Sequence, residues 1–267
     1  MVNGEDFGSR FKAAVERNFD QSASIYDRFE ETHHLFETLT RRQLELIEPS
    51  RPARILDVGC GTGISTLALQ KALEAGSPNV YAIDISELML LRARERCRDI
   101  PGVYFVRGDA ERLSDYFREA FDAIFYTASV FLMPRFCDSL RQASNLLVSG
   151  GVLSVSYYAG LFDELQEEAL PKAFPDLKYQ YGAFPIGELV SCLDSLTDLK
   201  TTQVDFRFEV TQEFLFDFLS IPAQSAGLFP KLQYLDRIPR VRELCDGMAE
   251  KVVPVFMGWT FFIARKR

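Results

Sequence analysis

The run Ile55-Leu56-Asp57-Val58-Gly59-Cys60-Gly61-Thr62-Gly63 constrains this chain more than any other stretch. Apolar residues interleaved with one carboxylate, running straight into alternate glycines, predict a buried strand that ends in a tight turn and opens a helix. With no Cβ at Gly59, Gly61 or Gly63, a ligand can lie directly on the turn. A dinucleotide fingerprint, G-x-G-x-x-G, needs its third glycine at position 64. The residue there is Ile64, which argues against a pyrophosphate-binding turn and a nicotinamide-dependent oxidoreductase.

The elements that follow keep a strand–helix rhythm. Ile64 to Ala75 reads as a helix closed by Gly76-Ser77-Pro78, and Val80 to Asp84 as a short strand ending in a carboxylate. Asp84 falls where a βαβ unit returns an acidic residue to the same sheet edge, and a carboxylate there can accept both hydroxyls of a ribose. Ser86 then opens a helix that carries Met89, with Ile85 just before it. Gly102 to Val106 reads as a third strand followed by Gly108-Asp109-Ala110, and Phe121 to Tyr126 as a fourth. Pro134 starts a helix over 135–147, which Ser149-Gly150-Gly151 caps before a fifth strand at Val152–Tyr157.

Taken in this order, the elements resemble those of the class I S-adenosylmethionine-dependent methyltransferases. The glycine turn is similar to their motif I, Gly108-Asp109-Ala110 to their G-D-A element, and Phe121-Asp122-Ala123-Ile124 to their F-D-x-[VI] signature. The resemblance is good over Ile55–Val155 and looser before it, where Phe19 to Asp27 is similar to the lid of methyltransferase type 11 and ubiquinone-biotin methyltransferase-like enzymes. Leu161 to Leu165, after the fifth strand, is similar to the malonyl carrier-protein O-methyltransferases.

The resemblance implies an α/β, Rossmann-like, seven-stranded and mostly parallel sheet with an antiparallel last strand. It implies an N-terminal helical lid at 1–48 and a methyltransferase domain at 49–267, with substrate-binding insertions at about 158–186 and 211–253. The implied cofactor is S-adenosyl-L-methionine, with S-adenosyl-L-homocysteine as product. The implied cofactor-binding residues are Tyr26, Asp57, Gly59, Cys60, Gly61, Gly63, Asp84, Ile85, Met89, Asp109, Ala110 and Tyr126. Asp109 would receive the adenine amino group and the backbone N–H of Ala110 a ring nitrogen. Many relatives carry a small or amide residue where Tyr126 stands.

Two strands report on topology independently. Residues 203–210 alternate, with Val204, Phe206, Phe208 and Val210 on one face and Gln203, Asp205, Arg207 and Glu209 on the other, as suits a sheet edge. Trp259 to Ala264 is nearly continuous apolar sequence, as expected of a strand covered on both faces. The last strand is therefore expected inside the penultimate one.

Before the glycine turn, Phe11, Val15, Phe19, Leu35, Phe36, Leu39, Leu44 and Ile47 recur at helical spacing, which predicts two or three helices ending at Pro49 and Pro52. Tyr26 serves either as a lid residue or as a core aromatic, and Met89 either as a cofactor contact or as core. His33 and His34 are the only imidazoles, hence the only side chains whose ordinary pKa suits a base near neutrality. With Tyr26 they are the candidate catalytic residues, against the alternative of surface histidines. Aromatics crowd both insertions, including Tyr158, Phe162, Phe174, Tyr179, Tyr181 and Phe184 in the first and Phe214, Phe216, Phe218 and Phe229 in the second. They are read either as substrate walls or as a cap completing the core.

Composition narrows the partners. The net charge of −8 offers no electrostatic track to a phosphate backbone, so no nucleic-acid substrate is expected. Residues 1–10 are mostly polar and no apolar run is long enough to cross a bilayer, so a cytoplasmic protein without membrane contact is expected. The five cysteines, 60, 97, 137, 192 and 245, show no C-x-x-C and no Cys/His cluster, which argues against a disulfide framework and a metal site. The expected reaction is methyl transfer to a small, largely hydrophobic acceptor, free or tethered to a carrier. A catalytically inactive cofactor-binding or regulatory protein of the same fold is the alternative. The acceptor atom and the oligomeric state stay open.

Overall fold

The computed structural model describes residues 4–47, 53–73, 78–118, 120–177 and 184–267. The expected stops at Pro49, Pro52 and Gly76-Ser77, and the aromatics Tyr179 and Tyr181, lie outside them. Seven strands form one sheet: β1 (Arg54–Val58), β2 (Asn79–Asp84), β3 (Val103–Arg107), β4 (Phe121–Tyr126), β5 (Leu147–Phe162), β6 (Leu199–Val210) and β7 (Val255–Lys266). Their order is β3-β2-β1-β4-β5-β7-β6. The pairs β1–β2, β1–β4, β2–β3 and β4–β5 are parallel, and β7 runs antiparallel to both β5 and β6.

The two patterns in the last strands have the expected meaning. β6 is an edge strand whose odd positions from Gln203 to Glu209 are exposed, whereas β7 is buried from Met257 to Ala264 between its neighbours. β1 is central and buried over Ile55–Val58, so every residue there, Asp57 included, must pack or be hydrogen-bonded.

The helices α3 (Ile64–Ala72), α4 (Glu87–Arg96), α5 (Leu113–Tyr116) and α6 (Phe136–Leu146) connect the parallel strands. Ser86 caps α4 by accepting the Met89 N–H at 3.1 Å. The helix before β5 ends without a glycine cap. Its chain passes from Leu146 into extended backbone at Leu147, and Ser149-Gly150-Gly151 instead lie inside β5, where the register against β4 shifts. Gly150, at φ 77°, takes up that irregularity.

The N-terminal segment is one 30-residue helix, α1 (Gly4–His33), followed by α2 (Leu35–Leu46). The break is His34, in the left-handed region at φ 50°. Buried Glu30 reaches across it, accepting the N–H groups of Phe36 and Glu37 at 2.9 and 2.8 Å, and so caps α2 from the helix before it. Burial raises the Glu30 pKa above the ordinary carboxylate value. Phe29, Leu35, Phe36 and Leu39 join the same apolar core as the sheet residues Leu56, Ile124, Leu153 and Phe261.

Between β5 and β6 lie α7 (Ala169–Ala173) and α8 (Ile186–Ser195), and between β6 and β7 lie α9 (Gln212–Ser220), α10 (Pro222–Leu228) and α11 (Tyr234–Lys251). One disulfide, Cys137–Cys192, joins α6 to α8. The cysteine pattern argues against a disulfide framework, and this one bond joins cysteines 55 residues apart, a separation that carries no sequence signature. Among the described residues no helix is long and apolar enough to cross a membrane, and no group of three or more His, Cys, Asp or Glu could hold a metal ion.

Candidate active site

The glycine turn and the ends of β2, β3 and β4 surround a cavity. It lies at the carboxyl ends of the parallel strands, where open α/β sheets bind ligands. The N–H groups of Gly59 and Cys60 donate to the Ile83 carbonyl at 2.8 and 3.1 Å, tying the turn to β2. The Gly61 N–H donates to Asp84 Oδ2 at 2.8 Å and the Ser86 N–H to Asp84 Oδ1 at 2.9 Å. Each carboxylate oxygen thus holds one backbone donor and keeps a lone pair for a ligand. Burial, partly offset by those donors, raises the Asp84 pKa.

The three glycines have different reasons to be glycine. A Cβ at Gly59 would lie 2.5 Å from the Cβ of Ser129, and one at Gly63 2.9 Å from that of Ala93, so both positions are closed by packing. At Gly61, also at positive φ, a Cβ would meet nothing within 4 Å. Gly61 lines the cavity, and a side chain there would fill it.

Of the residues singled out from sequence, Tyr26, Gly59, Gly61, Asp84, Ile85, Asp109 and Ala110 line the cavity. The others do not. Asp57 is fully buried behind the turn, where its Oδ2 accepts the hydroxyls of Ser65 and Thr66 at 2.6 and 2.7 Å, and burial pushes its pKa up to about 6. Cys60 packs against Ala82 and Leu90, and burial lifts its thiol pKa well above the ordinary value. Gly63 opens α3 against Ala93. Met89 is core, since its turn of α4 faces inward. Tyr126 is turned away from the cavity toward α6, and its hydroxyl meets Ser139 Oγ at 2.7 Å. The cavity is lined instead by Thr127, the next residue, which donates to Gln43 Oε1 at 2.7 Å while Gln43 Nε2 donates to Ser154 at 3.0 Å.

Neither histidine borders the cavity. His33 Nε2 lies 2.8 Å from Asp217 on α9, between the rings of Phe29 and Phe214. His34, at the helix break, is exposed. Tyr26 does border it, stacked on Phe36 with ring centroids 4.5 Å apart. Burial and the nearby carboxylates of Glu30 and Asp84 hold its phenol pKa well above 10, so it is neutral.

The structure adds residues that sequence reading missed. Lys12 on α1 reaches into the cavity and ion-pairs Asp109 at 2.7 Å and also Glu111. Glu111 is buried and is held as well by Arg135. Further along, α1 is tied to the end of β3 by Glu16–Arg107 at 3.0 Å and to the two ends of α4 by Asp20–Ser86 at 2.5 Å and Asp27–Arg96 at 2.6 Å. Nothing in the local sequence of α1 marks these residues, since their partners lie far along the chain.

A second, inner chamber adjoins the cavity and shares Phe19, Tyr26, Ala128 and Leu132 with it. Its remaining walls include Phe36, Phe131, Tyr158, Phe218 and Trp259. Strands β5 and β7 and helices α1, α2 and α9 all contribute, and Phe218 of α9 serves both as core and as wall, whereas Phe214, Phe216 and Phe229 do not line the chamber.

Residues 55–151 match the family model described as "Methyltransferase domain". The chain is 31% identical over 169 residues to aklanonic acid methyltransferase DauC of Streptomyces sp. (strain C5), covering 61% of this chain and 74% of that protein. It is 26% identical over 220 residues to malonyl-[acyl-carrier protein] O-methyltransferase 1 of Ilyobacter polytropus, covering 80% and 79%. Among solved structures, the YcgJ protein from Bacillus subtilis superposes with a TM-score of 0.60 at 15% identity, covering 88% of this chain and 99% of that one, a likeness of fold. The open face of Gly61 and the remaining acceptor capacity of Asp84 fit the cofactor of such enzymes. With the strand order, the matched domain and the relatives in agreement, this chain belongs to the class I S-adenosylmethionine-dependent methyltransferases.

Proposed function

We propose that the protein transfers a methyl group from S-adenosylmethionine to a small, largely hydrophobic acceptor, free or tethered to a carrier. The observation that carries this reading is the aromatic inner chamber beside the main cavity, which shares Phe19 and Tyr26 with it. Such walls recognise a ligand by burying its apolar surface.

In this reading the main cavity holds the cofactor. Asp84 receives the two ribose hydroxyls, and the backbone of Gly59 and Gly61 lies under the methionine half. Ile85 packs against the adenine, Asp109 accepts its amino group, and the Ala110 N–H faces a ring nitrogen. Lys12 stands on that corner, already paired with Asp109 and Glu111, and neutralises two carboxylates that would otherwise crowd one another. Helix α1, held to α4 by its acidic residues, is the lid, and its Phe19 and Tyr26 line both chambers.

When bound, the sulfonium supplies an electrophilic methyl carbon, whose bond to sulfur breaks, with the electron pair going to sulfur, as the bond to the acceptor forms. The chain contributes alignment and exclusion of water, which give the larger part of the acceleration in such displacements. It contributes no imidazole, because neither His33 nor His34 lines either chamber, and Tyr26 is neutral. The acceptor therefore brings a nucleophile that needs no histidine base.

The test has two arms. Asp84→Ala should lose roughly 2 to 4 kcal/mol of S-adenosylhomocysteine binding by calorimetry, the worth of two hydrogen bonds to a charged group. Incubation of the wild type with radiolabelled S-adenosylmethionine and a small-molecule extract should label an apolar product identifiable by mass spectrometry. Unchanged affinity in folded Asp84→Ala sinks the cofactor assignment. Label confined to polar acids or to nucleic acid sinks the acceptor assignment.

A further inference from the structure

One wall of the main cavity comes from outside the sheet. Lys12, Val15, Phe19 and Tyr26 lie on one face of α1, whereas every other lining residue belongs to the ends of β1, β2, β3 and β4 or to the loops that follow them. Those loops are anchored on paired strands. The way in for a ligand is therefore under α1.

The two halves of α1 are held differently. Ser22, Ala23, Phe29 and Glu30 are buried, and the Ser22 hydroxyl accepts the Ala223 N–H of α10 at 3.1 Å. From Phe7 to Gln21 no residue is buried, and an open cleft flanks this half, with Phe11, Ala14 and Asn18 on one wall and Ala226 and Gly227 of α10 on the other. A segment with so little buried apolar surface opens locally at low cost. Polar contacts hold it down: Lys12 with Asp109 at 2.7 Å and with Glu111, Glu16 with Arg107 at 3.0 Å, and Asp20 with Ser86 at 2.5 Å.

Among these contacts Lys12 is distinct. Arg107 is 56% exposed, and a pair so open to water contributes little. The Lys12 side chain is 17% exposed and that of Glu111 only 1%. Its two acceptors are themselves fixed, since Arg135 Nε holds Glu111 at 3.1 Å and Asp109 Oδ1 accepts the Glu111 N–H at 2.9 Å. The ammonium thus ties the mobile half of the helix to a rigid pair of carboxylates on the cavity wall.

We propose that Lys12 is a positioning residue that bolts the cofactor cavity. It holds residues 7–21 of α1 over the bound cofactor, and S-adenosylmethionine and S-adenosylhomocysteine pass in and out when its ion pair with Asp109 and Glu111 parts and this half of the helix lifts. The identity of the occupant rests on the methyl-transfer reading above.

A bolt acts on rates. It closes the empty and the filled cavity alike, so its loss raises kon and koff together and leaves Kd nearly constant, whereas the loss of a simple ligand contact raises koff and Kd. Stopped-flow binding of S-adenosylhomocysteine to the full-length protein measures both rate constants. In Lys12→Met each should rise about tenfold, as expected for one lost charge-assisted hydrogen bond, with Kd within about threefold of wild type. Lys12→Arg, which keeps the charge, should restore both rate constants to within about threefold of wild type. Salt eases the parting of opposite charges, so both wild-type rate constants should rise between about 0.05 and about 0.5 M salt and those of Lys12→Met should stay level. In the ligand-free protein, amides of residues 12–21 should exchange hydrogen faster in Lys12→Met than in wild type, with residues 22–33 unchanged. Unchanged rate constants in folded Lys12→Met, or a faster koff alone with a correspondingly weaker Kd, overturns the proposal. A wild type that fails to bind S-adenosylhomocysteine while the exchange difference persists counts against the methyl-transfer reading and supports the bolt. If Lys12→Met does not fold, the wild-type salt series decides, and rate constants indifferent to salt overturn the proposal.

Discussion

Alanine at Gly61 and at Gly63 should damage the protein in opposite ways, although the two residues stand two positions apart in one turn. At Gly63, φ is 81° and an added Cβ would lie 2.9 Å from the Cβ and 3.0 Å from the Cα of Ala93. An L-residue in the left-handed region costs about 1 to 2 kcal/mol. Overpacking against the backbone of α4, which cannot swing aside as a flexible side chain can, adds about 1 to 3 kcal/mol. Gly63→Ala should therefore lose about 2 to 5 kcal/mol of stability. At Gly61, φ is 53° and the new methyl would meet nothing within 4 Å, so only the conformational part remains, about 1 to 2 kcal/mol. That methyl projects into the cavity, and S-adenosylhomocysteine affinity should fall at least about tenfold, or ~1.4 kcal/mol. Urea unfolding gives the first quantity and calorimetric titration the second. The reasoning fails if the two variants unfold at the same urea concentration, or if Gly61→Ala binds S-adenosylhomocysteine as the wild type does.

Further outcomes follow from the same geometry. Asp109→Ala should weaken S-adenosylhomocysteine and also reduce discrimination against an analogue lacking the 6-amino group; equal discrimination in calorimetry before and after the substitution refutes its proposed role. His33→Gln should keep turnover within about threefold of wild type with an unshifted pH profile, because the ring meets Asp217 and no chamber; a lost ionisation in the kcat profile would restore His33 as a base. Tyr26→Ala should lower turnover on the identified acceptor more than it lowers the urea midpoint, and wild-type turnover counts against the lid. Asp57, raised from 3.8 to about 6 by burial, contributes stability that is fully present below the unfolded-state pKa and lost as pH rises through 6, about 3 kcal/mol in all. Urea unfolding at pH 4.5 and 7.5 should show that component in the wild type and not in Asp57→Asn, and identical pH dependence in both rules it out.

What was legible in the sequence, and what was not, divides along a physical line. Elements whose signal is local were readable. The glycine turn, Asp84 at the end of β2, the capped start of α4 and the alternation of β6 against the continuous burial of β7 each follow from a few neighbouring residues, and the sheet order agrees with them. Features made by distant partners were not. Lys12 meets Asp109 across 97 positions, Cys137 meets Cys192 across 55, and the inner chamber draws its walls from α1, α2, β5, α9 and β7. The single break at His34 was hidden too, because the cap that allows it is a carboxylate on the preceding helix.

The residues that a motif places within the site but the fold withdraws from it point to a more general limit. A motif fixes which backbone segment reaches the ligand, while the side chain facing the ligand is decided by strand phase and helix turn. At the end of β4, successive residues point to opposite faces. Tyr126 therefore goes down onto Ser139 in α6, and Thr127, one residue on, borders the cavity and joins the hydrogen-bonded chain through Gln43 to Ser154. The same rule separates Gly61, open to the cavity, from Cys60, packed on Ala82 and Leu90. It gives Asp57 a different task from Asp84: buried behind the turn, it takes two hydroxyls of α3 and lines no part of the cavity. The carboxylates are chemically alike, and their positions within the turn and strand assign one to holding the loop and the other to facing the cavity.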